Sequence, residues 1–363
     1  MPKKHSSDMS AVKRCVTTLT QSCLFVLALT QLTGCFGPRT LQDSVKDYRT
    51  RLSYVLDTPL PEMIKPTLSP LPDSTSLKYT PEGVVINLRE FYALQACELG
   101  SVVAMRNTAL GKSQLASQRL VYESELLVAL SQCAKAIEQT DQTLAATLAN
   151  WHRQKRADFA LNWANVIQTS LEFRVALNNP ERLLWIENNK DAAASINSLY
   201  YVDSLMHYAQ SSVTAPIDST ELEQQLNIIR SARLPATLWQ TQLSLSVVLL
   251  QLNSWLPSLL DDVPCPEGRA SEKAKILRNV FYLFFIEEIQ PVGSLLNQYH
   301  YKLAPLWSRW IENEALRSTF KDYLTEYTQS NYHSYRDAMQ THVTLWQTFL
   351  GRCHLSPVAP SAT

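Results

Sequence analysis

The sequence predicts an all-α fold, a bundle of antiparallel helical hairpins preceded by a proline-rich strap. Three observations carry that expectation. From about Leu88 almost to the end, apolar residues recur at spacings of three and four, the period of a helix with one buried face. Glycine is scarce, eight in 363 residues, which leaves little turn chemistry for a sheet. No fixed-period repeat is visible, so a solenoid is not expected.

The N-terminus reads as an export signal over residues 1–34. Lys3, Lys4, Lys13 and Arg14 form a basic n-region, and an apolar stretch runs from Cys15 to Leu29. Leu32-Thr33-Gly34-Cys35 has the form of a lipobox, which makes Cys35 the expected site of lipidation and the first residue of the mature chain. Each buried acyl methylene contributes about 0.8 kcal/mol, and one chain alone holds a bilayer only marginally, so an anchor of this kind carries several. Position 36 is Phe and not Asp, which by bacterial sorting rules favours the outer membrane over retention at the inner one.

Residues 35–81 are expected to hold this anchor, a short helix and the strap. Leu41, Val45, Tyr48, Leu52 and Val55 share a helical stripe over 41–57. Pro59, Pro61, Pro66, Pro70, Pro72 and Pro81 follow, each removing a donor and biasing its predecessor to extended backbone.

Residues 82–355 are expected to form the all-α domain, with 356–363 a disordered tail. One helix is predicted over 88–110 and a second over 117–140. Asp141 opens a third, to Asn178, and Pro180 suits the first turn of a fourth, to Gln210. Thr220 with Glu223 has capping-box spacing for a fifth, interrupted by Pro235 before a stretch from Leu238 to Leu259. Two long arms close the chain, 271–313 and 314–351.

Cysteine usage fits export. Cys15 and Cys23 leave with the signal, Cys35 takes lipid, and Cys97, Cys133, Cys265 and Cys353 remain, an even number suited to two disulfides. In a hairpin turning between Gly111 and Ser117, Cys97 lies level with Cys133. Cys265 and Cys353 flank the open ends of the two C-terminal arms. The predicted pairs are therefore 97–133 and 265–353.

Composition limits the chemistry. The full chain is neutral, and without residues 1–34 it keeps 29 basic and 32 acidic residues, a net charge of −3, so no basic face for nucleic acid is expected. Gly111-Lys112-Ser113 resembles the end of a phosphate loop, but position 106 is Arg where that loop needs Gly. The seven histidines show no metal-ligand spacing, and no G-x-S-x-G or S-x-x-K pattern occurs. No metal and no cofactor are expected. The basic run Trp151-His152-Arg153-Gln154-Lys155-Arg156 reads first as a solvated helix face. Glu287-Glu288, after an apolar run, is expected to place one carboxylate on an arginine and expose the other. The aromatics between Phe281 and Phe349 are expected in the core.

The first hairpin is the most unusual segment. Arg106 lies on the apolar stripe of its helix, and Glu123 sits between Leu120 and Leu127 at a core position, where a charge needs a partner. Arg106 and Glu123 come level in the disulfide register. Yet Arg106 is nine residues from Cys97, about 180° around a regular helix, so both face the partner helix only if Gly100 disturbs the helix.

Cys97-Glu98-Leu99, Arg106-Asn107, Leu110-Gly111, Ser117-Gln118-Arg119-Leu120, Tyr122-Glu123 and Cys133 resemble the signature of an uncharacterised family of proteobacterial lipoproteins. The similarity covers most of the mature chain. It implies an exported lipoprotein, supplies no activity, and singles out Arg106, Asn107, Arg119 and Glu123 as a candidate buried polar cluster. The leading expectation is a non-catalytic module on the periplasmic side of the outer membrane, held by its lipid and working in envelope assembly through a protein partner. A carrier or sensor of an apolar ligand, held in the aromatic-rich C-terminal helices, is the second expectation, and an envelope hydrolase using Glu123 or Glu287 the third.

Overall fold

The computed structural model describes residues 39–81, 83, 86–94, 97–106, 108, 114–210 and 214–358. The signal segment with Cys35, Asn107, the Gly111-Lys112-Ser113 run and residues 359–363 of the expected tail lie outside the described residues. Among the described residues every regular element is helical. They are α1 Leu41–Leu56, α2 Ser74–Leu77, α3 Leu88–Ala93, α4 Leu99–Arg106, α5 Ala116–Ile137, α6 Gln142–Thr169, α7 Leu171–Asn178, α8 Ala192–Ser204, α9 Ser219–Ala232 and α10 Leu234–Asp261. After these come α11 Glu272–Val280, α12 Gln290–Glu312, α13 Ser318–Thr325 and α14 Asn331–Arg352. The π-helical stretches Phe281–Ile289 and Glu326–Ser330 join α11 to α12 and α13 to α14 without a break.

Caps explain most of the helix starts. Thr40 and Asp43 exchange backbone bonds in a reciprocal capping box before α1, and Asp141 accepts the Leu144 N–H before α6. Four expectations need correction. The helix predicted over 88–110 is two short ones, α3 and α4, with Cys97 between them. Leu94 and Leu99 are both fully buried; five residues apart they would stand about 140° apart on one straight helix, and the break turns both inward. The helix predicted to start at Pro180 starts only after Asp191, because Thr241 Oγ1 takes the Leu184 N–H and Asn188 Oδ1 takes that of Trp185. The helix from 141 to 178 breaks at Ser170, which caps α7. Finally, Asp218 and not Thr220 caps α9, accepting from the N–H groups of Thr220 and Glu221.

The buried residues form two cores. The larger takes α1 and α7 through α14, together with one face of α5 and α6. The smaller lies where residues 86–94 and 97–106 cross α5 and α6, and is built on Leu94, Leu99, Val102, Leu126 and Leu130. Residues 86–94 and 97–106 thus form a cap over one end of the α5–α6 hairpin. Cys97 is bonded to Cys133, with Cα atoms 5.6 Å apart, which ties the cap to α5. Cys265 is bonded to Cys353, with Cα atoms 5.2 Å apart, which ties the end of α10 to the end of α14. In the chain-entropy account each bond stabilises by about 4 kcal/mol.

Residues 58–73 carry no regular structure. Their prolines cannot donate, and their carbonyls accept instead: Pro61 from Arg49 at 2.5 Å, Glu62 from Gln251 at 2.9 Å, Pro66 from Gln240 at 2.7 Å and Pro72 from Arg174 at 2.9 Å. The segment thereby lies along α1, α7 and α10. Close helix approach elsewhere uses glycine: a Cβ on Gly293 of α12 would come within 2.8 Å of the Tyr335 hydroxyl on α14.

The centre of the larger core holds a buried histidine. His342 Nδ1 is 2.8 Å from Asn253 Oδ1, and its Nε2 is 2.8 Å from the Tyr48 hydroxyl and 3.1 Å from Trp346 Nε1. The indole N–H can only donate, so Nε2 is the acceptor and Nδ1 carries the proton. One neutral imidazole therefore links α1, α10 and α14. Burial pushes its pKa down to about 3. The unfolded value is about 6.5, so the unfolded chain takes up this proton first as pH falls.

Stability should hold above about pH 6.5 and decline as pH falls toward 3, steepened by about 1.4 kcal/mol per pH unit by this one proton. His300, held down to about 4 chiefly by burial, adds to the slope. Thermal or urea unfolding across this range should show His342→Gln losing one proton's worth of slope relative to wild type. An unchanged slope would contradict the assignment.

Candidate functional site

Helix α5 runs between the two cores. Leu120, Val121 and Leu127 face the larger, and Tyr122, Leu126 and Leu130 the smaller. Glu123 lies on the boundary with 1% of its side chain exposed. A carboxylate there is held ionised only by cations brought to it. Arg119, one turn back on α5, is ion-paired with Glu123 Oε1, and Lys155 of α6 reaches the same oxygen at 3.5 Å with 4% of its side chain exposed. Ser117, at the start of α5, donates to Glu223 of α9 at 2.7 Å, which explains why Glu223 is not part of a cap.

The cap supplies the third cation. Arg106 ends α4, a position that favours positive charge at the helix C-terminus. Burial lowers its pKa, with a further push from Arg119 and a pull the other way from Tyr122 and Glu123, so these four groups share one electrostatic environment. The register problem posed by Cys97 disappears because Cys97 precedes α4 and no single helix joins it to Arg106. Tyr122 lies beneath Arg119, 5.1 Å from guanidinium carbon to ring centre, and burial, reinforced by Glu123, raises its pKa to about 12. Its hydroxyl stays protonated across the ordinary pH range.

Arg106, Arg119 and Lys155 border a cavity of about 360 Å³ under the cap, with Leu99, Val103, Leu126, Leu130 and Trp151 in its walls. Arg119 Nη1 and Glu123 Oε2 are buried without a hydrogen-bond partner. Each such orphan costs about 1–3 kcal/mol, and native cores leave few of them.

The structure thus brings together Arg106, Arg119 and Glu123 of the predicted cluster and adds Lys155. The basic run 151–156 is expected to be solvated, and five of its residues are exposed or half-exposed while Lys155 is not. The signal is its stripe: Leu148, Trp151, Lys155 and Phe159 recur at helical spacing on the inward face of α6.

Other candidates fall elsewhere. Glu288 pairs with Arg39 at 2.7 Å, and Glu287 is exposed. The C-terminal aromatics pack on one another, Phe281 stacking on Trp346 with ring centres 4.6 Å apart, and both are buried. No group of three or more metal-ligating side chains occurs among the described residues.

A family model described as a protein of unknown function (DUF3080) matches residues 45–357. No curated protein matches the chain, and no solved structure does.

Removing the carboxylate should leave Lys155 buried beside cations alone. Glu123→Ala is expected to lower unfolding free energy by about 3–5 kcal/mol. Adding Lys155→Met should restore much of that loss, a coupling that a double-mutant cycle in urea measures. Strictly additive losses would show that the pair is not a unit.

Proposed function

This chain belongs to the DUF3080 family, which brings no activity with it, and we propose that it is a lipid-anchored envelope protein that acts by binding rather than by catalysis. The observation that carries the binding half is the cavity under the cap, where buried polar atoms lack partners beside an apolar wall. Cavities of a few hundred Å³ with apolar walls and a few convergent polar groups are the usual form of small-molecule sites. The anchored half rests on Leu32-Thr33-Gly34-Cys35 and on two disulfides, which suit an oxidising compartment. Phe36 after the anchor, where an Asp would favour retention at the inner membrane, supports a position at the outer membrane facing the periplasm.

Hydrolysis is the weaker reading. A glycosidase-type pair needs a second positioned carboxylate, and the ionic partners of Glu123 are Arg119 and Lys155. A protein partner in envelope assembly remains a second reading, favoured by one observation: Tyr92, Met105 and Leu115, all at or beside the cap, are more than half exposed.

Radiolabelled palmitate should enter the wild-type chain and not Cys35→Ser, and the wild type should sediment with outer membranes on a density gradient. Recovery of the wild type as an unlabelled soluble protein would contradict the anchor. Turnover of peptidoglycan or phospholipid by the purified chain, lost in Glu123→Gln, would contradict the non-catalytic reading.

A further inference from the structure

The walls of the cavity define a ligand class, an inference that depends on the proposed binding role. Among its described lining residues three carry positive charge and none carries negative charge; Glu123 lies behind them. Among the described residues Arg119 and Lys155 share the single carboxylate of Glu123, which leaves one positive charge of that group over, in a chain whose mature part is net negative. Lys155 is almost wholly buried, its carboxylate partner is 3.5 Å away, and the nearby Arg119 Nη1 has no acceptor. An anion would complete both.

The charges sit at one end only. From Arg119 the inward stripe of α5 continues through Tyr122 and Leu126 to Leu130, a run of roughly 16 Å along the helix axis. Val103 of the cap and Trp151 of α6 face it. Arg106 and Arg119 also border a second, more polar cleft of about 760 Å³ that continues past Asn162 and Thr169. The charged end therefore opens toward polar surroundings, and the apolar end runs up beneath the cap. A hollow of similar size between α1, α10 and residues 63–66 has Lys65, Glu181 and Arg182 together and offers no such excess of one sign.

We propose that this cavity binds a single-chain amphiphile with an anionic head, a carboxylate or a phosphate monoester. The head lies on Arg106, Arg119 and Lys155, and the chain lies along Leu126 and Leu130 under the cap. Arg106 comes from the cap while Arg119 and Lys155 come from the hairpin, so the bound head bridges the two parts.

The test uses full-length lipoprotein in its own membranes, with photoactivatable dodecanoate, dodecyl phosphate and an uncharged dodecyl maltoside as probes. Saturable labelling by dodecanoate or dodecyl phosphate, mapped to peptides from α4 and α5, is expected, and the stronger of the two names the head group. Dodecyl maltoside should label at least tenfold less. Arg106→Gln should weaken labelling by the anionic probes about tenfold, and Leu126→Trp should block it, both with unchanged thermal unfolding in a control scan. If Leu126→Trp fails to fold, Val103→Phe fills the same space from the cap. Equal labelling by charged and uncharged probes, or no saturable labelling, overturns the assignment. If the probe saturates the site but is recovered chemically altered, the site stands and the binding-only reading falls.

Discussion

A carboxylate that cannot reach water dictates the arrangement around it. Glu123 sits where the two hydrophobic cores meet, and ionised there it requires cations from more than one element. Arg119 comes from its own helix and Lys155 from the neighbouring one, so the pairing fixes the register of α5 against α6. Arg106 joins from the cap through the shared field. Because Arg119 and Lys155 share the one carboxylate, the arrangement that stabilises the hairpin also leaves positive charge at the edge of a hollow.

The rest of the fold holds that arrangement steady. The cap has few residues and a small core, and the Cys97–Cys133 bond keeps it against α5. On the other side, Ser117 and Glu223 attach the start of α5 to α9, and the Ser124 hydroxyl accepts the Ile217 N–H. Far from the cavity, His342 joins α1, α10 and α14 through a neutral ring with every polar atom bonded, and Cys265–Cys353 closes the same end. The larger core is thus rigid by packing and bonding, whereas the cap depends on one covalent link and a cluster of charges.

Much of this was legible in the sequence. The helical period marked most helices, because a stripe of leucines specifies a buried face whatever the partner. Both expected cysteine pairs lie at disulfide distance, although Cys97 sits between two short helices and not on the single long helix from which its register was read. Glu123 and Arg106 stood out because charge on an apolar stripe is a conflict that only a partner resolves. The misses have physical causes. The break between α3 and α4 serves the burial of both Leu94 and Leu99, a tertiary demand invisible to local propensity. Pro180 is compatible with a helix start, but Thr241 and Asn188 capture the N–H groups that a helix would have used. Lys155 was hidden inside a run of basic residues whose average character is solvated, although its own stripe, Leu148 to Phe159, is buried.

The central claim is that buried cations around Glu123 make an anion-headed amphiphile part of the native protein. Native mass spectrometry of the full-length protein, released gently from the cells that produce it, tests it most directly. A discrete adduct of one anionic single-chain amphiphile per chain, depleted in Arg106→Gln, is the predicted result. The bare protein mass in both wild type and variant would contradict it.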